Sequence, residues 1–126
     1  MKNMTHSLED YLETIWLLSR ERKVVRVKDV ASRLGVTTSS VVEALHNLEQ
    51  RGLIIHERYG YIDLTPEGET SGALIYNKHS LLYEFLTRVL GVSPEVADRD
   101  ACNIEHYISM ETLEKLSEFM KSYNTQ

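Results

Sequence analysis

The stretch Val27-Lys28-Asp29-Val30-Ala31-Ser32-Arg33-Leu34-Gly35-Val36-Thr37-Thr38-Ser39-Ser40-Val41-Val42 decides the fold. Its first eight residues read as a short helix ended by Gly35, the residue type that best tolerates the left-handed backbone of a helix C-terminus. A second helix begins almost at once. Thr37, Thr38 and Ser39 offer N-cap oxygens, and Val41, Val42, Leu45 and Leu48 form an apolar stripe that runs until Gly52. Two helices joined by a tight turn at Gly35-Val36 are the pattern of a helix-turn-helix.

Downstream, Leu53-Ile54-Ile55-His56-Glu57-Arg58 and Tyr61-Ile62-Asp63-Leu64 are β-prone runs flanking Tyr59-Gly60, a tight-turn dipeptide. A hairpin directly behind the second helix of a helix-turn-helix makes it a winged helix. Upstream, Ser7 offers a cap for a helix whose apolar residues Leu8, Tyr11, Leu12, Ile15, Trp16 and Leu18 recur at helical spacing. That pattern leaves Asp10 and Glu13 together on another face, where an acidic first turn also suits the helix dipole. After the hairpin, Thr65-Pro66 restarts helix, which the pattern carries to Leu90. Gly68 and Gly72 in it point to close packing against a neighbour. Ser93-Pro94-Glu95 opens a further helix, and Ser109 caps a last one with Leu113, Leu116, Phe119 and Met120 as its stripe. The tail from Ser122 to Gln126 reads as frayed.

The reading is a mainly α chain. Residues 1–72 form a winged helix-turn-helix with a small β-hairpin wing, and residues 73–126 form an all-helical domain. The second segment is too short to close a robust core alone, yet carries Leu81, Leu82, Phe85, Leu86, Val89 and Leu90 on one helix. Homodimerisation would bury that surplus.

Charge divides the chain at the same place. Residues 1–64 hold nine Lys/Arg and nine Asp/Glu, whereas residues 65–126 hold five and ten, which accounts for the whole net charge of -5. Phosphate binding needs a local basic surface, and Arg20, Arg22, Lys23, Arg26, Lys28, Arg33, Arg51 and Arg58 supply candidates in the first half. No apolar run is long enough to cross a bilayer, and the N-terminus lacks the apolar core of a signal peptide. One cysteine excludes an intramolecular disulfide framework and fits a cytoplasmic setting.

That cysteine lies in Ala101-Cys102-Asn103-Ile104-Glu105-His106. On a helix, Cys102 faces Glu105 at i+3 and His106 at i+4, so a thiol, a carboxylate and an imidazole can converge. The mixture suits a divalent first-row metal, with further ligands drawn from elsewhere in the chain. A buried Cys and a satisfied His beside a solvated Glu is the competing reading of an isolated C-x-x-E-H.

Taken together, Leu8-Glu9-Asp10-Tyr11-Leu12-Glu13-Thr14-Ile15, Val36-Thr37-Thr38-Ser39-Ser40-Val41, Leu64-Thr65-Pro66-Glu67-Gly68, Lys78-His79-Ser80-Leu81-Leu82 and Ala101 to His106 resemble the diphtheria toxin repressor family, including its manganese transport regulator branch. The resemblance spans nearly the whole chain. It implies a cytoplasmic, metal-dependent repressor whose winged helix binds a pseudo-palindromic double-stranded DNA operator as a homodimer. It makes Asp10, Cys102, Glu105 and His106 the main metal ligands, with Glu13 and His79 as neighbouring or second-ion ligands. Asp10 and Glu13 follow the manganese branch, while Cys102 follows the iron branch. Tyr83 stands where both branches commonly place a glutamate ligand, and Asp98 stands where the iron branch has a histidine. The thiolate tilts the expectation slightly to Fe(II), with Mn(II) close behind and Zn(II) or Co(II) able to bind in vitro.

For DNA, the expected contacts are Thr37, Thr38, Ser39 and Ser40 at the start of the second helix, Glu43 toward a cytosine amine, and Arg58 and Tyr59 at the wing tip. Capping is the competing role for the hydroxyls. Two rival functions are a winged-helix regulator indifferent to metal and a metal-dependent hydrolase. Against the hydrolase, the chain has no Gly-rich phosphate loop, nucleophile elbow or H-E-x-x-H, and enzymatic activity is not expected. A metal-storage protein would leave the helix-turn-helix without a role.

Overall fold

Leu8, Tyr11, Leu12, Ile15 and Leu18 are all buried, and their helical spacing forms the inner face of α1, His6–Glu21. Thr5 caps this helix, its Oγ1 accepting from the Leu8 amide at 3.1 Å, so the cap lies two residues before the expected Ser7. The computed structural model describes residues 4–57 and 60–124 and divides into two compact units, the first ending at Leu74 and the second beginning at Ile75. Among the described residues no helix is long and apolar enough to cross a membrane.

In the first unit, β1 (Val25–Arg26) precedes α2 (Val27–Leu34) and α3 (Thr38–Gln50), and β2 (Ile54–His56) and β3 (Tyr61–Leu64) follow. Gly35 ends α2 at φ 67°, the left-handed conformation that the turn requires. Thr37 caps α3, with Val41, Ala44, Leu45 and Leu48 buried beneath it. The sheet is antiparallel in the order β1-β3-β2. The expected hairpin therefore gains a third strand, with Val25 opposite Ile62 and Arg26 opposite Tyr61. Two residues are too few to show the alternation that marks a strand in sequence. Arg58 and Tyr59, expected at the wing tip, lie outside the described residues.

The long helix α4, Pro66–Glu84, starts in the first unit and continues into the second. Its early glycines explain themselves by contact. A Cβ on Gly68 would lie 1.8 Å from the Leu53 carbonyl oxygen, and one on Gly72 would lie 2.8 Å from the Trp16 Cβ. The helix does not run unchanged to Leu90: it widens into a π-helical turn over Phe85–Val89.

The second unit continues with α5 (Pro94–Ile104) and α6 (Met110–Asn124). Ser109 caps α6 by accepting from the Thr112 amide at 3.1 Å. Leu113 and Met120 of its expected stripe are buried, while Phe119 is half exposed. The tail is helical through Asn124 instead of frayed, because the π turn holds it: Arg88 donates to Asn124 at 2.5 Å and stacks over the Tyr123 ring, and Phe85 meets Phe119 edge to face.

Candidate metal centre and nucleic-acid interface

Ala97, Ala101 and Glu105 sit four residues apart and are all buried, so the inward line of α5 ends on a carboxylate. Glu105 is 2% exposed, and its Oε2 has no hydrogen-bond partner among the described residues. A buried carboxylate without a full set of donors carries a large desolvation cost, which a bound cation would offset.

Two imidazoles approach it from different sides. His79, on α4, places Nδ1 3.5 Å from Glu105 Oε2, and His106, just past the end of α5, places Nε2 3.8 Å from Oε1. His79 also places Nε2 2.9 Å from Asp98 Oδ1. The Glu105 carboxylate is the principal cause that raises the His79 pKa from 6.5 to about 9, with Asp98 adding to it and partial burial opposing it. At 3.5 Å the Glu105 contact is longer than a good hydrogen bond and is an ion pair. Oxygen and nitrogen donors around an orphaned buried carboxylate fit a divalent metal.

The sequence-derived donors do not all gather here. Cys102 is exposed, and among the described residues it joins no group of three donor atoms within 4.8 Å of one another. The expected i, i+3, i+4 convergence is lost because the line through Ala97 and Ala101 turns Glu105 inward and leaves Cys102 on the solvent side. Asp10 and Glu13 occupy half-buried positions on α1 in the first unit. Asp98, which stands where the iron branch has a histidine, proves to be the partner of His79. Nineteen residues separate that pair, a distance that local spacing does not read.

In the first unit, α3 turns a polar face outward. Thr37, Thr38, Ser39, Ser40, Glu43, His46 and Gln50 are exposed, and Val42 is 48% exposed. Thr37 Oγ1 accepts from the Ser40 amide at 3.1 Å, so this hydroxyl is committed to the cap. The helix itself carries no Lys or Arg. Of the basic candidates, Arg20, Arg22 and Arg33 already pair with Glu69, Asp29 and Glu21. Lys28 and Arg51 are exposed, and Arg26 lies over the Tyr61 ring.

Comparison with known proteins agrees with both halves. Residues 3–62 match the N-terminal DNA binding domain of iron dependent repressors, and residues 65–126 match their metal binding and dimerisation domain. The chain is 35% identical to the HTH-type transcriptional regulator MntR of Lysinibacillus sphaericus (strain C3-41), over 93% of this chain and 84% of that protein. It is 35% identical to MntR of Geobacillus kaustophilus (strain HTA426), over 94% and 84% respectively. Among solved structures, that of the manganese regulator SloR is similar, with a TM-score of 0.78 and 29% identity over 94% of this chain. This chain spans about half of that one, 55% of its length. With a winged helix-turn-helix, a helical second unit and matches to both domains, the chain belongs to the diphtheria toxin repressor and manganese transport regulator family of metal-dependent helix-turn-helix transcriptional regulators.

Proposed function

We propose that this protein is a cytoplasmic, homodimeric repressor that binds a pseudo-palindromic operator more tightly when a divalent metal occupies a site built on Glu105 and His106. The observation that carries this reading is the buried Glu105 carboxylate with an orphaned oxygen and an imidazole on either side. Asp10 on α1 completes the donor set, with Glu13, His79 and Cys102 as further donors; the family resemblance supports this assignment.

Bound there, a divalent cation would supply the positive charge that offsets the buried Glu105 carboxylate. Glu105, His106 and Asp10 would hold it, and their shared ligation would restrict the motion of the DNA-binding half. In a dimer, two recognition helices must enter major grooves about 34 Å apart, and a restricted hinge raises the fraction of molecules able to do so. A coupling of about 1 to 3 kcal/mol corresponds to roughly 5- to 150-fold tighter operator binding. On the DNA side, Thr38, Ser39 and Ser40 meet phosphates or base edges, Thr37 holds the helix start, Glu43 accepts from cytosine N4, and Arg58 and Tyr59 reach phosphate from the wing.

We place Mn(II) ahead of Fe(II). The exposure of Cys102 weakens the thiolate argument for iron, and the carboxylate-rich set of Asp10, Glu13 and Glu105 suits the harder ion. The similar solved regulator SloR is a manganese regulator. Selection from random duplex DNA under anaerobic conditions, with Mn(II), with Fe(II) and with a chelator, tests the function. A palindromic motif enriched with metal and lost with chelator is the expected result; the same motif in all three arms would refute metal dependence.

A further inference from the structure

We propose that Asp98 is a positioning residue of the metal centre: by accepting a hydrogen bond from His79 Nε2 it fixes the ring so that Nδ1 faces Glu105. An ionised carboxylate can only accept, so at 2.9 Å from Asp98 Oδ1 the hydrogen resides on Nε2. Once Nδ1 yields the proton of its ion pair, its lone pair faces Glu105, and its 3.5 Å separation from Oε2 leaves both atoms able to serve a common ion. Carboxylates that hold the distal nitrogen of a histidine in this way set its tautomer and orientation and raise its basicity as a ligand.

The alternative is that Asp98 and His79 Nε2 are themselves ligands of an ion in the adjoining cleft. That cleft, about 390 Å³, is lined by His79, Ser80, Tyr83, Glu84, Pro94 and Asp98. Among the described residues no third His, Cys, Asp or Glu brings a donor atom within 4.8 Å of both. Two donors are a poor cage for a divalent ion, whereas one carboxylate is sufficient to orient an imidazole. The Asp98 side chain is 70% exposed, so its replacement leaves the core untouched.

The inference rests on the metal centre proposed above, and calorimetric titration of the full chain with Mn(II) separates the two. Wild type that binds no Mn(II) overturns both. With wild type binding, Asp98→Ala is expected to weaken Mn(II) by roughly 10- to 100-fold at unchanged stoichiometry, with Asp98→Asn intermediate and Asp98→Glu close to wild type. Nitrogen-15 spectra of the Zn(II)-loaded protein should show His79 as a single Nε2–H tautomer that becomes mixed in Asp98→Ala. Unchanged affinity in Asp98→Ala would overturn the proposal, as would loss of one bound ion, which would make Asp98 a ligand.

Discussion

Glu105 concentrates the chemistry of the second unit, and its neighbours show what local spacing reads well. Glu105 and His106 adjoin in sequence at the end of a helix, so their proximity was legible. The exposure of Cys102 was not, because it depends on which side of α5 packs inward, and two alanines set that direction. His79 gives a prediction for the metal-free protein. Its folded pKa of about 9 lies above its ordinary 6.5, so the stabilisation it contributes is complete below about pH 6.5 and is lost as pH rises through about 9. In chelator, the melting temperature should fall across that window, and Glu105→Gln should flatten the fall. A wild-type profile already flat between pH 6.5 and 9 would show that the ion pair contributes nothing.

At the scale of elements, periodicity together with cap and stop residues located the α-helices among the described residues, while their ends and interruptions followed tertiary contacts. The two-residue β1 exists only because Ile62 and Tyr61 pair with it, and the π turn offers no repeat of its own. The last turn of α6 is ordered by Arg88, thirty-six residues away from Asn124. Gly68 is the clearest case in which a residue that weakens a helix is needed. Alanine there gains about 1 kcal/mol of helix propensity but drives a methyl group into the Leu53 carbonyl. The clash wins: Gly68→Ala should destabilise the protein by about 1 to 3 kcal/mol in urea denaturation, and a stabilised variant would contradict the packing described.

For the whole molecule, the uneven charge was the informative quantity. A neutral first half and an acidic second half leave DNA binding to a few exposed cations near α3, since that helix has no basic residue and three arginines are engaged elsewhere. Lys28 is therefore expected to supply phosphate affinity and no base preference. Lys28→Ala should weaken binding alike across sequences and reduce the salt slope by about one ion.

The coupling of metal to DNA is tested most directly by the affinity of a selected duplex for wild type and for Glu105→Gln, each measured by fluorescence anisotropy with Mn(II) and with chelator. The account predicts that Mn(II) tightens wild-type binding about tenfold or more, that Glu105→Gln binds weakly and equally in both conditions, and that its fold is intact by circular dichroism. Equal wild-type affinity with and without Mn(II), or a full response retained in Glu105→Gln, would contradict it.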